Sequence, residues 1–99
     1  MPKVTVRRSH SRDPQTILSQ VGSALESTAR DFDATDLTLT TAGNRSDFSF
    51  KTMGFKVGGN VQAGPSEVVI EVDLPLAAAP FTSVAEQVIG RNVDAALQA

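Results

Sequence analysis

The sequence contains no cysteine, no tryptophan and no tyrosine, and it has a single histidine. Without cysteine, disulfides, thiolate metal sites and thiol nucleophiles are all excluded. One histidine is too few for a metal site that needs two imidazoles, or for acid–base catalysis by a pair of histidines. The absence of Trp and Tyr removes two side chains that commonly stack on nucleic acid bases. These absences argue against most kinds of catalytic site.

Long apolar runs are also missing. Residues 1–10, MPKVTVRRSH, lack the apolar core of a signal peptide, and no segment approaches the roughly 18 uninterrupted apolar residues of a membrane-spanning helix. A length of 99 residues, with 40% hydrophobic and 20% charged residues, is ordinary for one globular domain. A net charge of −2 creates no general attraction to nucleic acid or anionic membranes. We predict a single cytoplasmic domain over residues 1–99.

Two helices and a first strand are predicted from periodicity. Residues 3–8 alternate between apolar and polar, which is typical of a half-buried strand. Asp13-Pro14 is a helix-start signal, and apolar residues at helical spacing continue from there to about Phe32. A second amphipathic helix is predicted over residues 84–97. Its Gly90 and Asn92 indicate some irregularity.

The stretch between the helices, residues 36–74, alternates in four segments that predict four consecutive antiparallel strands. The three turns are centred on Gly43-Asn44, Met53-Gly54 and Gly64-Pro65. The predicted cross-strand pairs are Leu39–Phe48, Leu37–Phe50, Phe48–Gly59, Phe50–Val57, Thr52–Phe55, Val61–Val68, Gly59–Ile70, Val57–Val72 and Phe55–Leu74, with Lys56–Asp73 and Gln62–Glu67 on the other face. This register gathers the apolar residues on one face of the sheet.

The predicted element order is β-α-β-β-β-β-α, an α+β fold. An antiparallel sheet of about five strands would form one layer, and both helices would cover its apolar face because the other face is polar. The first strand has two possible positions. It could lie parallel to the second strand through a right-handed crossover, or antiparallel at the other edge of the sheet.

Few residues suggest chemistry. His10 lies between Ser9 and Ser11, but no nucleophile elbow supports a hydrolase triad, so a structural role in a loop is favoured. Carboxylates of the last strand share its exposed face with nearby lysines, which favours a solvated row of charges over an acid–base or metal site. Gly54, Gly58 and Gly59 lack a phosphate-loop context and fit sheet geometry better. We predict no catalytic, cofactor-binding or metal-binding residue.

Two surfaces are candidates for binding a partner. Arg7, Arg8 and Arg12 form the one basic cluster, close to His10, and such a cluster could hold phosphates. These four residues are the predicted partner-binding residues. The apolar connector 74–81 could either contact a hydrophobic surface or pack into the core.

The central stretch carries a distinctive pattern. Its parts are Phe48-Ser49-Phe50, then Met53-Gly54 with Val57 and Gly59, then Val68, Ile70, Val72 and Leu74-Pro75. This pattern, with the strand before His10 and the helix after Phe81, resembles the polyhydroxyalkanoic acid system (granule region) family of small bacterial proteins. The resemblance implies an association with storage-polymer metabolism or storage granules, and it brings no catalytic residues. The serine-rich first helix departs from the basic helix of that family.

We predict a non-catalytic accessory protein linked to polyhydroxyalkanoate storage, in the cytoplasm or at the granule surface, that contacts a protein partner or the granule. One alternative is a small regulator that binds nucleic acid through Arg7, Arg8 and Arg12, although the acidic composition argues against nucleic acid as a partner. Another is a ligand-binding domain or hydrolase centred on His10. A homodimer could form through a free sheet edge or the outer face of the sheet.

Overall fold

A computed structural model describes residues 2–98 of the chain. Its elements are β1 (Lys3–Ser9), α1 (Pro14–Asp31), β2 (Thr35–Ala42), β3 (Arg45–Thr52), β4 (Phe55–Ala63), β5 (Glu67–Asp73), a 3-10 helix (Leu76–Phe81) and α2 (Thr82–Leu97). The predicted fold class and element order are confirmed.

The five strands form one antiparallel sheet in the order β1-β5-β4-β3-β2. β1 takes the second of its two predicted positions, antiparallel to β5, with Val6 opposite Ile70 and Val4 opposite Val72. This position extends the apolar face of β5 by two fully buried valines.

Both helices lie on the apolar face. α1 packs over β2, β3 and β4, while α2 packs against α1 and β1. Ile17, Val21 and Leu25 of α1 and Val93 of α2 are almost completely buried. Burying each such side chain contributes roughly 1.5–3 kcal/mol, which is enough to hold the helices on the sheet.

The predicted register is correct between β3 and β4 and in the part of the β2–β3 hairpin next to its turn. Leu39 pairs with Phe48, and the β3–β4 hairpin pairs Thr52 with Phe55, Phe50 with Val57 and Phe48 with Gly59. The ring of Phe48 lies directly over Gly59, where a Cβ atom would be 2.8 Å from Cζ of the ring. The same Cβ would lie 2.1 Å from the carbonyl oxygen of Glu71, so Gly59 is required chiefly by the close approach of the β5 backbone.

The predicted register between β4 and β5 is wrong by two residues. Val61 pairs with Ile70 and Ala63 pairs with Val68, so none of the predicted β4–β5 pairs forms. Gly64, Pro65 and Ser66 form the loop, and the N–H of Gly64 donates to the carbonyl of Glu67, so the turn is centred on Pro65-Ser66 instead of Gly64-Pro65. Pro65 cannot adopt the positive φ that a type I′ turn requires. Because the shift is even, every side chain keeps its predicted face.

Two smaller predictions are also wrong. Leu37 does not pair with Phe50, because the β2–β3 ladder shifts between Thr35 and Thr38, where Asp36 has a left-handed φ of +57°. The expected irregularity of α2 is absent, since the helix runs unbroken from Thr82 to Leu97.

The two residues that suggested a break in α2 make contacts instead. Gly90 leaves room for the guanidinium of Arg8, from which an added Cβ would be 3.0 Å away. The amide of Asn92 donates to Thr28 Oγ1 (2.9 Å) and to Asp31 Oδ2 (3.1 Å), which ties α2 to α1.

Candidate functional site

The two ends of the sheet differ in chemistry. At one end, called here the polar end, β1 finishes, α1 begins, and the β2–β3 and β4–β5 loops lie side by side. At the other, called the apolar end, β3 turns into β4, β5 leads into the 3-10 helix, and α1 finishes. The predicted partner-binding residues belong to β1 and the polar end.

The predicted basic cluster is divided between the two faces of the sheet. Arg7 lies on the outer face, where its Nη1 is 3.0 Å from Glu67 Oε1. Arg8 lies on the inner face, and its Nε donates to Asp94 Oδ1 of α2 at 2.6 Å. The two side chains therefore do not form one surface for a polyanion, and their role in binding a partner stays a prediction.

His10 joins two loops at the polar end. Its Nδ1 accepts the backbone N–H of Arg12 at 3.2 Å, so Nε2 carries the proton and donates to the carbonyl of Gly64 at 2.8 Å. The backbone N–H of His10 also donates to the carbonyl of Ser66. With both ring nitrogens engaged, the half-buried imidazole has a structural role in this arrangement. The geometry offers no serine as a partner for it among the described residues.

The carboxylates on the exposed face of β5 are neutralised from β1. Lys3 Nζ is 3.6 Å from Glu71 Oε2 and 3.7 Å from Asp73 Oδ1. The predicted Lys56–Asp73 contact is absent, because the β4–β5 register places Gly58 opposite Asp73. Within residues 2–98, no group of three or more acidic or histidine side chains could hold a metal ion.

An apolar cleft opens at the apolar end, between the sheet and the helices. It is lined by Thr28, Phe32, Phe50, Thr52, Met53, Phe55, Val57, Val72, Leu74, Ala78, Phe81, Ala85 and Ile89, and it contains a cavity of about 50 Å³. Both hydroxyls in this wall already donate to carbonyls inside the protein, Thr28 to Ala24 at 2.9 Å and Thr52 to Phe32 at 2.6 Å. The cleft therefore presents hydrocarbon alone.

Large apolar side chains are exposed around this cleft. Met53 and Phe81, which line it, are 58% and 43% exposed. Leu76 in the 3-10 helix is 76% exposed, and Val84 in the first turn of α2 is 47% exposed. Exposed apolar residues that gather in one place mark interaction surfaces more often than scattered ones do. Of the apolar connector 74–81, Leu74 and Ala78 are buried in the core, whereas Leu76 and Phe81 face solvent.

Met53 occupies a strained position. Met53 and Gly54 have φ values of +51° and +80°, as in a type I′ turn, where Asn or Gly is the usual first residue. A left-handed conformation costs a residue such as methionine about 1–2 kcal/mol. The sequence thus places a flexible apolar side chain on an exposed tip at a cost in stability. Strain of this kind is typical of functional positions.

Sequence reasoning did not select Met53, Leu76 or Phe81 as site residues. Phe81 and Leu76 belong to the connector 74–81, which could either contact a hydrophobic surface or pack into the core, and only the structure separates its buried residues from its exposed ones. The signal for Met53 was present, since a long apolar residue is unusual at the first position of a two-residue turn.

The fold and the cleft define a small α+β protein with one exposed apolar end, and no helix among residues 2–98 has the length and apolar character needed to cross a membrane. The sequence pattern of the family described as "Putative polyhydroxyalkanoic acid system protein (PHA_gran_rgn)" matches residues 4–97. The chain belongs to this family, and the resemblance predicted from its central stretch is confirmed.

Other similarities are distant. The crystal structure of TTHA0849 from Thermus thermophilus matches over 98% of this chain and 92% of that chain, with 15% sequence identity and a TM-score of 0.41. A similarity at this level carries no argument about function. No curated protein matches the chain.

Proposed function

We propose that this protein is a non-catalytic accessory protein of polyhydroxyalkanoate storage that binds the hydrophobic surface of the polymer granule through its apolar end. Membership of the family supports the link to the polymer. The observation that carries the proposal is the exposure of Met53 and Phe81 in the lining of one cleft, together with Leu76 and Val84 in the adjoining 3-10 helix and first turn of α2. Covering the exposed parts of four such side chains contributes roughly 1 kcal/mol each.

The charges around the apolar end favour an uncharged surface. They are Lys3, Arg30, Lys51 and Lys56, balanced by Asp31, Asp33, Asp36 and Asp73. Lys3 is 3.7 Å from Asp73 and Lys51 is 3.7 Å from Asp36, so two of the lysines are already paired. A surface that binds anionic lipid needs an excess of basic residues, which this end lacks. A neutral polyester, in contrast, requires apolar contact without net charge.

Co-sedimentation with polymer particles tests the proposal. We expect the protein to bind protein-free particles of polyhydroxyalkanoate, and the double variant Leu76→Ser, Phe81→Ser to bind at least tenfold more weakly. The matched control is Leu39→Ser, because Leu39 is 40% exposed but lies on β2, away from the cleft. This control should bind as the unmodified protein does.

Two outcomes contradict the proposal. One is equal loss of binding in the control and the double variant, which would indicate nonspecific adhesion of exposed apolar residues. The other is binding to native granules but not to protein-free particles, which would identify a protein partner as the target instead of the polymer.

A further inference from the structure

The cleft itself has a more specific chemistry than the surface around it. Its walls come from three layers: Phe50, Val57 and Val72 of the sheet, Ile89 of α2, and Ala78 of the 3-10 helix. No charged residue is among its lining, and its two hydroxyls have internal partners. A polar group that entered would exchange its bonds to water for none, at a cost of about 2 kcal/mol or more.

We propose that this cleft binds the end of a single hydrocarbon chain, the alkyl part of an alkanoic or hydroxyalkanoic acid or ester, with the polar head group outside. The inference uses the same apolar end as the proposed function, but it needs no granule. It assigns a ligand class to the cleft, whereas the proposed function concerns the exposed rim.

The size of the cavity fits a slender chain. A cavity of about 150 Å³ holds benzene, with six carbons, so it provides about 25 Å³ for each carbon. The cavity of about 50 Å³ therefore holds the last two carbons of a chain without any movement of the walls. An aromatic ring does not fit into this volume.

The mouth of the cleft can accept the following carbons. Met53 and Phe81 lie at the entrance and are exposed, and the unbranched thioether of methionine adapts readily to a bound group. The 3-10 helix, to which Phe81 belongs, has no side-chain cap and contains Pro80. A chain that continues past the cavity would thus cover residues that are otherwise in contact with water.

Titration with soluble amphiphiles tests the inference. The probes are sodium alkanoates, alkan-1-ols and methyl esters of four to eight carbons, below their micelle-forming concentrations, and the readout is the NMR shift of the Ala78 and Ile89 methyl groups. We expect affinity to rise about fourfold with each added carbon, because burying one methylene contributes about 0.8 kcal/mol. At equal chain length, the three head groups should differ by less than the effect of one methylene.

Cleft-filling variants provide the specific controls. Ala78 is 3% exposed in the wall, so Ala78→Val should fill the cavity and weaken the binding of every probe at least tenfold. Ala85→Val, in the part of the lining that belongs to α2, gives a second test if the first variant does not fold. Leu76→Ser changes an exposed residue outside the lining and should alter probe affinity by less than twofold.

Several results would overturn the inference. The first is an affinity that depends on the head group and not on the chain length. The second is an unchanged affinity in both filled variants. The third is methyl shifts that appear only when the protein concentration rises, which would indicate that a second copy of the chain occupies the cleft.

The two proposals fail separately. A filled variant that still sediments with polymer particles but binds no probe would support both, whereas probe binding without sedimentation would reject only the proposed function.

Discussion

Strand β3 is bounded by a hairpin turn on each side, and the two turns differ in chemistry. At the polar end, Gly43 takes a φ of +61° without strain. Gln15 Nε2 then donates to the carbonyl of Gly43 at 2.9 Å and to Asn44 Oδ1 at 3.1 Å, which ties the turn to α1. At the apolar end, Met53 takes the left-handed conformation, and its side chain is left largely in water.

Under the proposed function, the polar end of the sheet contributes to stability and the apolar end to binding. At the polar end, side chains such as His10 and Gln15 form hydrogen bonds with the backbone carbonyls of the loops. The apolar end instead exposes hydrocarbon and accepts a strained turn. Changes at the polar end should therefore affect folding alone, and changes at the apolar end should affect binding with little or no loss of stability.

The largest effect is expected from Gly59→Ala, in the sheet between the two ends. This variant tests whether the polar end and the apolar end belong to one cooperative unit. A Cβ atom at Gly59 would lie 2.1 Å from the carbonyl oxygen of Glu71, so the backbone of β5 would have to move. We expect a loss of about 3 kcal/mol or more, measured by urea unfolding. Gly58→Ala is the matched control, because its Cβ would meet nothing closer than 3.6 Å. Equal effects at the two glycines would contradict this account of the packing.

At the polar end, His10→Ala should destabilise the fold by about 1–2 kcal/mol, because the carbonyl of Gly64 and the N–H of Arg12 both lose a partner. Binding to polymer particles should not change. Arg7→Ala, which removes an exposed ion pair, is the control and should cost no more than about 1 kcal/mol. If the His10 variant folds but no longer binds polymer particles, His10 takes part in binding.

At the apolar end, Met53→Asn should raise the stability of the fold instead of lowering it. Asparagine tolerates the left-handed conformation, so we expect a gain in stability of up to about 1 kcal/mol by urea unfolding, together with weaker binding to polymer particles. Leu76→Ser should also weaken binding, but its stability should stay within about 0.5 kcal/mol, since the residue is exposed. If Met53→Asn binds normally, the strained turn has no part in the site.

The alternation of apolar residues was sufficient to predict the faces of the sheet. It placed Val61 and Ile70 on the buried side and Glu71 on the outer side, as observed. Alternation has a period of two, however, so it cannot distinguish registers that differ by two residues. The loop at Gly64–Glu67 decides between them, and the carbonyls of Gly64 and Ser66 in it accept hydrogen bonds from His10, which is distant in sequence.

The candidate site was harder to predict because exposure depends on packing in three dimensions. Leu74, Leu76, Ala78 and Phe81 form one apolar connector in the sequence, yet two of them are buried and two are exposed. The 3-10 helix determines which ones point inward, and no periodic pattern over so few residues specifies it. The basic cluster shows a related limit, since Arg7 and Arg8 are adjacent in sequence but lie on opposite faces of a strand, and their role in binding a partner stays a prediction.

The smallest effect concerns pH at the polar end, where Asp13 caps α1. The hydrogen bond from Thr16 lowers the pKa of Asp13 below its usual value of 3.8, and the backbone N–H groups of Gln15 and Thr16 act in the same direction. Because the folded pKa lies below the unfolded one, the charged cap stabilises the fold fully above the unfolded pKa. This stabilisation is lost as the pH falls through the folded pKa.

Asp13→Asn keeps an oxygen that can cap the helix but removes the titrating group. We therefore expect the variant to lose less stability than the unmodified protein between about pH 5 and pH 2, measured by urea unfolding at several pH values. Glu26→Gln, on the exposed side of α1, is the control and should leave the acid dependence nearly unchanged. If Asp13→Asn retains the full acid dependence, the stability lost in acid comes from other carboxylates. The charge of Asp13 would then add nothing measurable to the cap of α1.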